Sequence, residues 1–571
     1  MARVCTLTRM NSTEASSAPG KGLTLTQWLI IAVAAIGFLF DTYELLMTPL
    51  VGVPAIAELL KLPPNHPEVT AWMGKMSWIS ALCGGTFGLI GGWLIDRFGR
   101  KRILALSVFA YAFSPFAAAF STTLPAFIFF RCTTFIGVCV EFVAAITWLA
   151  ELFPHKREKV LGWTQAFASL GGVLVTSIAV WINSHSPTLP ALSLPEAFNA
   201  HAPWRYLLMT GLIPAIPIAL MLPFVPESQI WKEKRQAGTL KRPSFGELFA
   251  PELRRTTLVT AALSACAYAA AFGALQITTR SIVPGLPELK QQQAELAPLR
   301  GEAAKLNAEL DKVMPAFQQA TKDIPGLEGV AAERAKNRIA FRAAMKAGNS
   351  NAIASLTGDF KQLGTKLNEL TASKPEAKQS VTNREAILKA LGENREKQLP
   401  LQSAINARGE HVQFWQEMGG LFGRILLAIL VVSIASSRML LRVFVVPGLA
   451  ILPITYFALY HQSADLFTAG VFCCGLLVVA QFSYFGEYLP KVFPLHLRGT
   501  GGSFATNVGG RMFGTSGAFL TTNVIAPMFS ARPTADHYAM AAGIVGGSVF
   551  LLALILSAAL PEPKKEAVEE R

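Results

Sequence analysis

Twelve long apolar segments constrain the fold of this chain more than any other feature of its sequence. Each is about 18 residues or longer, the length that an α-helix needs to cross the hydrocarbon core of a membrane. Backbone polar groups inside lipid must be paired within the protein, so each segment is predicted to be a helix. The segments are 26–50, 71–95, 103–120, 125–150, 160–182, 205–225, 256–280, 413–436, 440–460, 464–490, 500–528 and 538–560. The chain is therefore predicted to be an all-α, multi-pass protein in a lipid bilayer.

The charged residues are few, and their placement predicts an orientation. Only 15% of the residues are charged, against about 25% in soluble proteins. The formal net charge is +14, but short loops on one side carry about six times as many Lys and Arg as those on the other. This asymmetry predicts that both termini are cytoplasmic, and it accounts for the excess of bases without a nucleic-acid partner. Residues 1–21 lack a cleavable signal pattern, so the first helix is expected to remain.

The apolar segments form two groups of six, which predicts two related halves. The hexapeptides Cys83–Gly88 and Met418–Gly423 resemble each other, and a Phe-Pro pair follows both the fourth and the tenth segment. The predicted divisions are a cytoplasmic tail 1–25, a six-helix bundle 26–230, a cytoplasmic linker 231–255, helix 7 at 256–281, an external insertion 282–411, helices 8–12 within 412–560 and a cytoplasmic tail 561–571.

The insertion at 282–411 is polar but carries apolar residues at helical spacing. They recur at a/d positions from Leu289 to Phe317 and again from Ile353 to Leu370, which predicts amphipathic, coiled-coil-like helices in a small antiparallel bundle. Two prolines are expected to kink or end parts of the first helix, and two dipeptides to form turns: Pro298, Pro315, Pro325-Gly326 and Gly348-Asn349. Disorder is the alternative, because aromatic residues are few.

A short loop with fixed spacing, Gly92–Arg102, joins the second and third apolar segments. Gly99 allows the backbone to turn, and Asp96 can accept hydrogen bonds from a helix start or pair with an arginine. The pattern G-x-L-x-D-R-x-G-R-K-R resembles the loop between helices 2 and 3 of the major facilitator superfamily of transporters. The resemblance implies two six-helix bundles and a cytoplasmic gate formed by Gly92, Asp96, Arg97, Gly99, Arg100 and Lys101.

Further motifs resemble the sugar-porter and organic-acid proton symporter branch of that superfamily. They are Trp204-Arg205, Val225–Ser228, Arg131–Gly137 and Glu151–Pro154. In that branch an Asp of helix 1 faces an Arg of helix 4, so the resemblance implies a proton-coupling pair of Asp41 and Arg131. A carboxylate inside a bilayer is costly unless it is paired or protonated, which makes Glu44 and Glu141 further candidates for proton coupling. Ion pairs that only lock helices together are the alternative.

Polar residues in the apolar segments are the candidates for substrate binding. Two membrane-embedded arginines of the second half suit a carboxylate, which a guanidinium can hold at two oxygens. The predicted substrate-binding residues are Arg424, Asn507, Arg511, Gln165, Gln276, Gln481 and Tyr484. Bracing of neighbouring helices is the alternative role for them.

The sequence predicts a secondary active transporter and not an enzyme. It contains no Walker-type phosphate loop, nucleophile elbow or metal-ligand spacing, so no cofactor and no metal are predicted. We expect a monomer in a bacterial inner membrane that moves a small organic anion, a carboxylate or sugar acid, together with protons by alternating access. The alternatives are an exporter or antiporter of a different small molecule, and a transporter-like receptor or scaffold whose residues 282–411 bind a protein partner.

Overall fold

The computed structural model describes residues 23–62, 67–195, 198–213, 215–346 and 350–563, and every regular element in these ranges is a helix. The chain divides into two compact units, one made of Met1–Ile282 with Val412–Arg571 and the other of Val283–His411. The predicted turn at Gly348-Asn349 and most of both predicted tails lie outside the described residues.

The first half of the larger unit begins at a helix cap that the sequence encodes. The Thr24 hydroxyl accepts from the Gln27 N–H, and the Gln27 side chain accepts from the Thr24 N–H, which fixes the start of the first helix. The helices up to the insertion are α1 (Leu25–Leu60), α2 (Pro67–Phe98), α3 (Arg100–Ala118), α4 (Leu124–Leu152), α5 (Arg157–Ala166), α6 (Ala168–His185), α7 (Pro203–Met209), α8 (Ala215–Met221), α9 (Gln229–Gln236) and α10 (Arg254–Ala270).

The smaller unit, Val283–His411, is a bundle of helices with its own core. Its helices are α11 (Lys290–Asp323), α12 (Leu327–Lys346), α13 (Ser350–Thr371) and the first part of α14 (Pro375–Ser433). α11 and α14 are antiparallel, because Glu288 pairs with Arg408 at 2.8 Å and Glu302 accepts from Asn394 at 2.7 Å. The core contains Phe317, Ala320, Ile324, Leu327, Ala331, Leu367, Ala377 and Val381.

Of the two expected effects of Pro298 and Pro315, kinking or ending the first insertion helix, the second is wrong, because α11 continues through both. Each proline removes one backbone hydrogen bond and costs about 3 kcal/mol in a helix interior. Apolar residues of α11 such as Leu296 and Ala303 are nevertheless buried, and Arg300 of this helix donates to Gln402 of α14 at 2.7 Å.

The second half of the larger unit contains helices whose turns widen locally. Its remaining helices are α15 (Ser437–Ile454), α16 (Tyr460–Gln462), α17 (Ala464–Val492), α18 (Arg498–Ser503), α19 (Ser516–Phe519) and α20 (Thr534–Ala559). Wider π-type turns occupy Ala271–Leu275, Thr278–Ile282, Thr455–Leu459, Phe504–Gly514 and Leu520–Ile525. Such turns are rare and often occur at functional sites.

Ten helices in the described ranges are long and apolar enough to cross a membrane. The other two predicted segments are also helical. α3 has 19 residues and starts with three bases, and the segment from Arg498 to Phe529 is divided among α18, α19 and the wide turns beside them. The described residues of the twelve apolar segments are thus mainly helical, and the segments 160–182, 205–225 and 500–528 are each divided among more than one helix.

Glycines on one face of α2 bring the two halves into close contact. A Cβ added at Gly85 would lie 2.5 Å from Met512 Cβ, and one added at Gly88 would lie 2.8 Å from Asn507 Nδ2. Gly92, one turn further along, contacts the backbone of Gly499. Small residues allow helix backbones to approach closely within a membrane, so this stripe sets the distance between the halves.

We expect the isolated fragment 284–409 to have a helical circular dichroism spectrum and a cooperative thermal melt, because it contains the core of the smaller unit. Leu367→Ala should lower its free energy of unfolding by about 2–5 kcal/mol. Lys366→Ala, at an exposed neighbouring position, should change it by less than about 0.5 kcal/mol. A random-coil spectrum, or equal effects of the two substitutions, would contradict an independent core.

Candidate functional site

One carboxylate of the Gly92–Arg102 motif joins the two halves of the larger unit. Asp96 is buried, and its Oδ1 accepts from the Gly499 N–H at 3.0 Å. Its Oδ2 accepts from the N–H and the hydroxyl of Thr500 at 2.7 and 2.8 Å. These donors belong to the start of α18, where a negative charge is favourable. Both expected partners of Asp96 are present, because Arg100 Nη2 also lies 3.5 Å from Oδ1.

Arg100 extends this connection to α4 and to the loop before α18. Its buried guanidinium donates to both oxygens of Glu151 at 2.9–3.1 Å and to the Leu495 carbonyl at 2.7 Å. Glu151 also accepts from Arg498 Nη1 of the second half at 3.4 Å. A buried charge is costly unless it is paired and hydrogen-bonded. Arg100 and Glu151 each meet this requirement partly with groups from the opposite half.

Gly99 and Glu227 shape the turn that presents these side chains. Gly99 has φ +110°, a conformation that side chains with a Cβ rarely adopt. An added Cβ would also lie 2.5 Å from Glu227 Oε2. The Glu227 carboxylate caps α3 by accepting from the N–H groups of Arg100 and Lys101 at 3.1 Å. Lys101 therefore takes part through its backbone.

The second half repeats this cap. Sequence reasoning placed Glu227 in the motif Val225–Ser228 without a capping role, and it missed Glu562. Glu562 accepts from Ser437 N–H at 2.9 Å and Arg438 N–H at 3.0 Å at the start of α15. Burial raises the pKa of a carboxyl group, but hydrogen bonds from the Ser436 hydroxyl and these N–H groups outweigh it and hold the pKa of Glu562 below its usual range. The available signal was a Pro-Glu dipeptide after the sixth and the twelfth apolar segments.

The end of the larger unit that carries Gly92–Arg102, here named the motif end, is closed by contacts between the halves. Lys491 of α17 pairs with Glu158 of α5 at 2.6 Å, in addition to the bonds of Asp96 and Glu151. Arg97 is different, because its side chain is exposed and lies over the Trp93 ring with its Cζ 4.9 Å from the centroid. Among the described residues, its contacts are with rings of its own half.

A second buried connection between the halves lies in the interior of the bundle. Arg511 Nη2 is 3.3 Å from both carboxylate oxygens of Asp41 in α1. Its Nη1 donates to Asn507 Oδ1 at 3.3 Å, and Asn507 in turn donates to the Cys139 carbonyl of α4 at 3.1 Å. Asn507 and Arg511 both belong to the wide turn Phe504–Gly514, so that turn positions this guanidinium against α1.

Aromatic rings surround the same guanidinium. Arg511 Cζ lies 6.0 Å from the ring centroid of Phe135 and 5.8 Å from that of Phe142. The guanidinium thus has a carboxylate on one side and apolar π faces nearby, which suits a planar organic anion.

The predicted pair of Asp41 and Arg131 is wrong. Arg131 instead pairs with Glu44 at 3.6 Å and donates to Thr48 Oγ1 at 2.5 Å. Glu44 follows Asp41 by three residues, so it lies almost one helical turn further along α1. The two acids therefore have different partners. Glu44 pairs with Arg131 of α4, and Asp41 pairs with Arg511 of the second half.

Glu141 is buried in the first half, and neither of its carboxyl oxygens has a hydrogen-bond partner among the described residues. Its carboxyl group packs on Gly37 of α1, where an added Cβ would overlap it. A buried carboxylate without partners is far less stable than the protonated acid. The surroundings of Glu141 therefore favour its neutral form.

The other predicted substrate-binding residues are dispersed. Arg424 donates to the Gln165 carbonyl at 2.8 Å, which joins α14 to α5 across the halves. Gln165 and Gln481 are buried and donate to carbonyls of their own helices, at Leu161 and Leu477, both at 3.1 Å. Tyr484 is fully buried and stacks with Tyr488, whereas Gln276 is exposed. In this conformation Arg511 contacts Asp41 and Asn507, and the bond from Arg424 to Gln165 is a separate contact within the predicted set.

The sequence matches a family profile described as Major Facilitator Superfamily over residues 23–298. Similar proteins include a cis,cis-muconate transport protein of Acinetobacter baylyi, 30% identical over 184 residues, which are 31% of this chain and 41% of that protein. A niacin transporter NiaP of the same species is 25% identical over 204 residues, 35% of this chain and 41% of that one. An arabinose-proton symporter of Bacillus subtilis is 29% identical over 156 residues, 27% and 32% of the two chains.

The matches to these three relatives span about two fifths or less of their lengths. Solved structures match over more of the chain. The proton:xylose symporter XylE bound to 6-bromo-6-deoxy-D-glucose aligns over 95% of this chain and 98% of that one, with a TM-score of 0.54 and 17% identity. This likeness confirms the predicted all-α fold of two six-helix bundles.

We expect Asp96→Asn to open the motif end, because an amide can accept at only one atom and its NH2 group would face backbone donors. Loss of one charged hydrogen bond costs about 2 kcal/mol, or roughly a 30-fold change in the closed-to-open ratio. Spin labels on cysteines introduced at the exposed His155 and Ala435 would report this as a longer distance by double electron–electron resonance. Arg97→Gln is the matched control, and an unchanged distance distribution in Asp96→Asn would contradict the closing role.

Proposed function

Because this chain belongs to the major facilitator superfamily, we propose that it is a secondary active transporter that moves a small carboxylate together with protons. The superfamily consists of integral, multi-pass membrane transporters, not of enzymes. The motif end faces the cytoplasm in this proposal, in agreement with the distribution of bases, and the chain acts as a monomer in a bacterial inner membrane.

The ion pair of Asp41 and Arg511 is the observation that carries the proposal. It joins α1 of one half to the wide turn of the other, inside the bundle. Arg511 is a permanent cation that can hold a carboxylate at two oxygens. When a substrate carboxylate binds Arg511, Asp41 loses its counter-ion and takes up a proton, since an unpaired buried carboxylate is costly. One anion and one proton then bind together, and neither leaves a buried charge uncompensated.

Exchange of partners at Arg511 also gives a route to alternating access. Asp41 and Arg511 lie in different halves, so a substrate that separates them weakens an interior tie. The bonds of Asp96, Arg100 and Glu151 hold the motif end closed in the meantime. Transport requires that the two sets of contacts break in turn.

Two further acids of the first half have supporting roles in this proposal. Glu141, which lacks hydrogen-bond partners among the described residues, is a second protonation site next to α1. Glu44 is held by Arg131 within the first half, so it braces α1 against α4 and does not exchange partners between the halves. Arg424, Gln165, Gln481 and Tyr484 brace helices in this conformation, and Gln276 is the remaining candidate to contact substrate.

The relatives differ in the compounds that their names state, which include muconate, niacin and arabinose. A guanidinium beside aromatic rings favours the acids over the sugar. Antiport or export of another molecule is the second candidate, because the same ion pair can exchange a proton in the opposite direction. Uptake into proteoliposomes of a panel of radiolabelled organic acids and sugars, with and without an imposed pH gradient, distinguishes these cases. Accumulation of sugars alone would refute the carboxylate, and no accumulation of any compound would refute symport.

We expect Asp41→Asn to abolish accumulation driven by a proton gradient while substrate counterflow continues, because Asn keeps the shape and loses the titratable proton. Accumulation and counterflow in the same proteoliposomes are the measurements. Asp359→Asn, at an exposed position of the insertion, is the control. Normal accumulation by Asp41→Asn would exclude coupling through this residue.

We expect Arg511→Gln to weaken binding of the carboxylate substrate by about 10- to 150-fold, because a charge-assisted hydrogen bond contributes about 1.5–3 kcal/mol. The corresponding neutral amide of the substrate should lose much less affinity. Arg532→Gln, an exposed arginine of the second half, controls for net charge. Equal losses for acid and amide would assign Arg511 a bracing role only.

A further inference from the structure

The linker between the halves is held against the motif end at three points. Trp231 of α9 is buried and its indole N–H donates to the Asp96 carbonyl at 2.9 Å. Trp93 of α2 donates in the same way to the Pro243 carbonyl at 3.0 Å. Further along, Glu247 contacts His496 of the second half at 3.0 Å. The linker therefore touches both halves where they meet.

A cavity of about 190 Å³ lies between the linker and the loop before α18. It is lined by Lys234, Thr239, Leu240, Lys241, Pro494, Leu495 and His496. Sites for drug-sized organic ligands are about 300–1,000 Å³, so this volume suits a small ion with some water. The Leu495 carbonyl in its wall is the group that accepts from Arg100, which connects the cavity directly to the contacts that close the motif end.

The polar side chains of this cavity favour an anion. Lys234 and Lys241 line the cavity, and neither has an ion-pair partner in the part of the chain that the structure describes. His496 adds a third nitrogen group, which is positive when protonated beside Glu247. Carboxylates are absent from the residues that line the cavity. Two lysines without ion-pair partners beside a small volume match the charge of a tetrahedral oxyanion.

We propose that this cavity binds a phosphate group and that the bound group stabilises the closed motif end. The phosphate bridges Lys234 and Lys241 of the linker to His496 of the second half. It thereby holds the loop that carries Leu495 against Arg100. Free phosphate and the headgroup of an anionic lipid share this chemistry. The site is separate from Asp41 and Arg511, so the proposal does not depend on the identity of the transported substrate.

Phosphate binding can be measured on the full-length protein in detergent. Inorganic phosphate should raise the thermal unfolding temperature relative to chloride at equal ionic strength. Lys234→Gln and Lys241→Gln should each weaken the apparent affinity about tenfold, because each removes one charged contact. Lys232→Gln is the matched control, since this exposed lysine of α9 does not line the cavity. Equal weakening by all three substitutions would reduce the effect to general charge and overturn the site.

Vesicles distinguish the two sources of the phosphate group and test its effect on the motif end. Spin labels at positions 155 and 435 should show a larger closed population with inorganic phosphate in phosphatidylcholine vesicles, or on addition of phosphatidylglycerol without phosphate. The first result assigns a soluble ligand and the second a lipid headgroup. Either gain should disappear in Lys234→Gln/Lys241→Gln and persist in Lys232→Gln. The labelled protein that retains Lys234 and Lys241 is the decisive sample. If neither phosphate nor phosphatidylglycerol changes its distance distribution, the proposal is wrong.

Discussion

Charged groups inside a low-dielectric bundle must find partners, and in this chain several of those partners lie in the opposite half. Asp96 is satisfied by the start of α18, Glu151 by both Arg100 and Arg498, and Asp41 by Arg511. Without the opposite half, each of these groups would lose a hydrogen-bond or ion-pair partner. The two bundles are therefore joined by electrostatic necessity at the motif end and in the interior, while the glycine face of α2 sets how closely they approach.

Much of the fold follows from the sequence, because apolar length and the pairing of backbone groups in lipid leave few choices. The motif also specified the helix-start bonds of Asp96. The partner of Asp41 could not be read in the same way. It depends on which side of α1 faces α4 and on the wide turn around Arg511, which changes the register of that helix. Hydrophobic periodicity carries no information on the orientation of α1 relative to α4 or on the position of a wide turn.

The caps formed by Glu227 and Glu562 show the internal repeat more clearly than the sequences of the apolar segments do. Trp148 of α4 donates to the carbonyl of Pro226 at 3.1 Å, and Tyr488 of α17 donates to that of Pro561 at 2.5 Å. Each half thus ends in a Pro-Glu dipeptide held by an aromatic donor and an N–H pair. The halves have diverged elsewhere, since the position of Asp96 has no acidic counterpart after the eighth apolar segment, 413–436.

The glycine face of α2 has a consequence for how this contact can change over evolutionary time. Its residues already have the smallest side chain, so no substitution can bring the helices closer. Every substitution adds a Cβ that would lie within 3 Å of atoms already present. Point substitutions there act in one direction only: they separate the halves. Any strengthening of the closed contact has to arise elsewhere, in the charges and the linker around it.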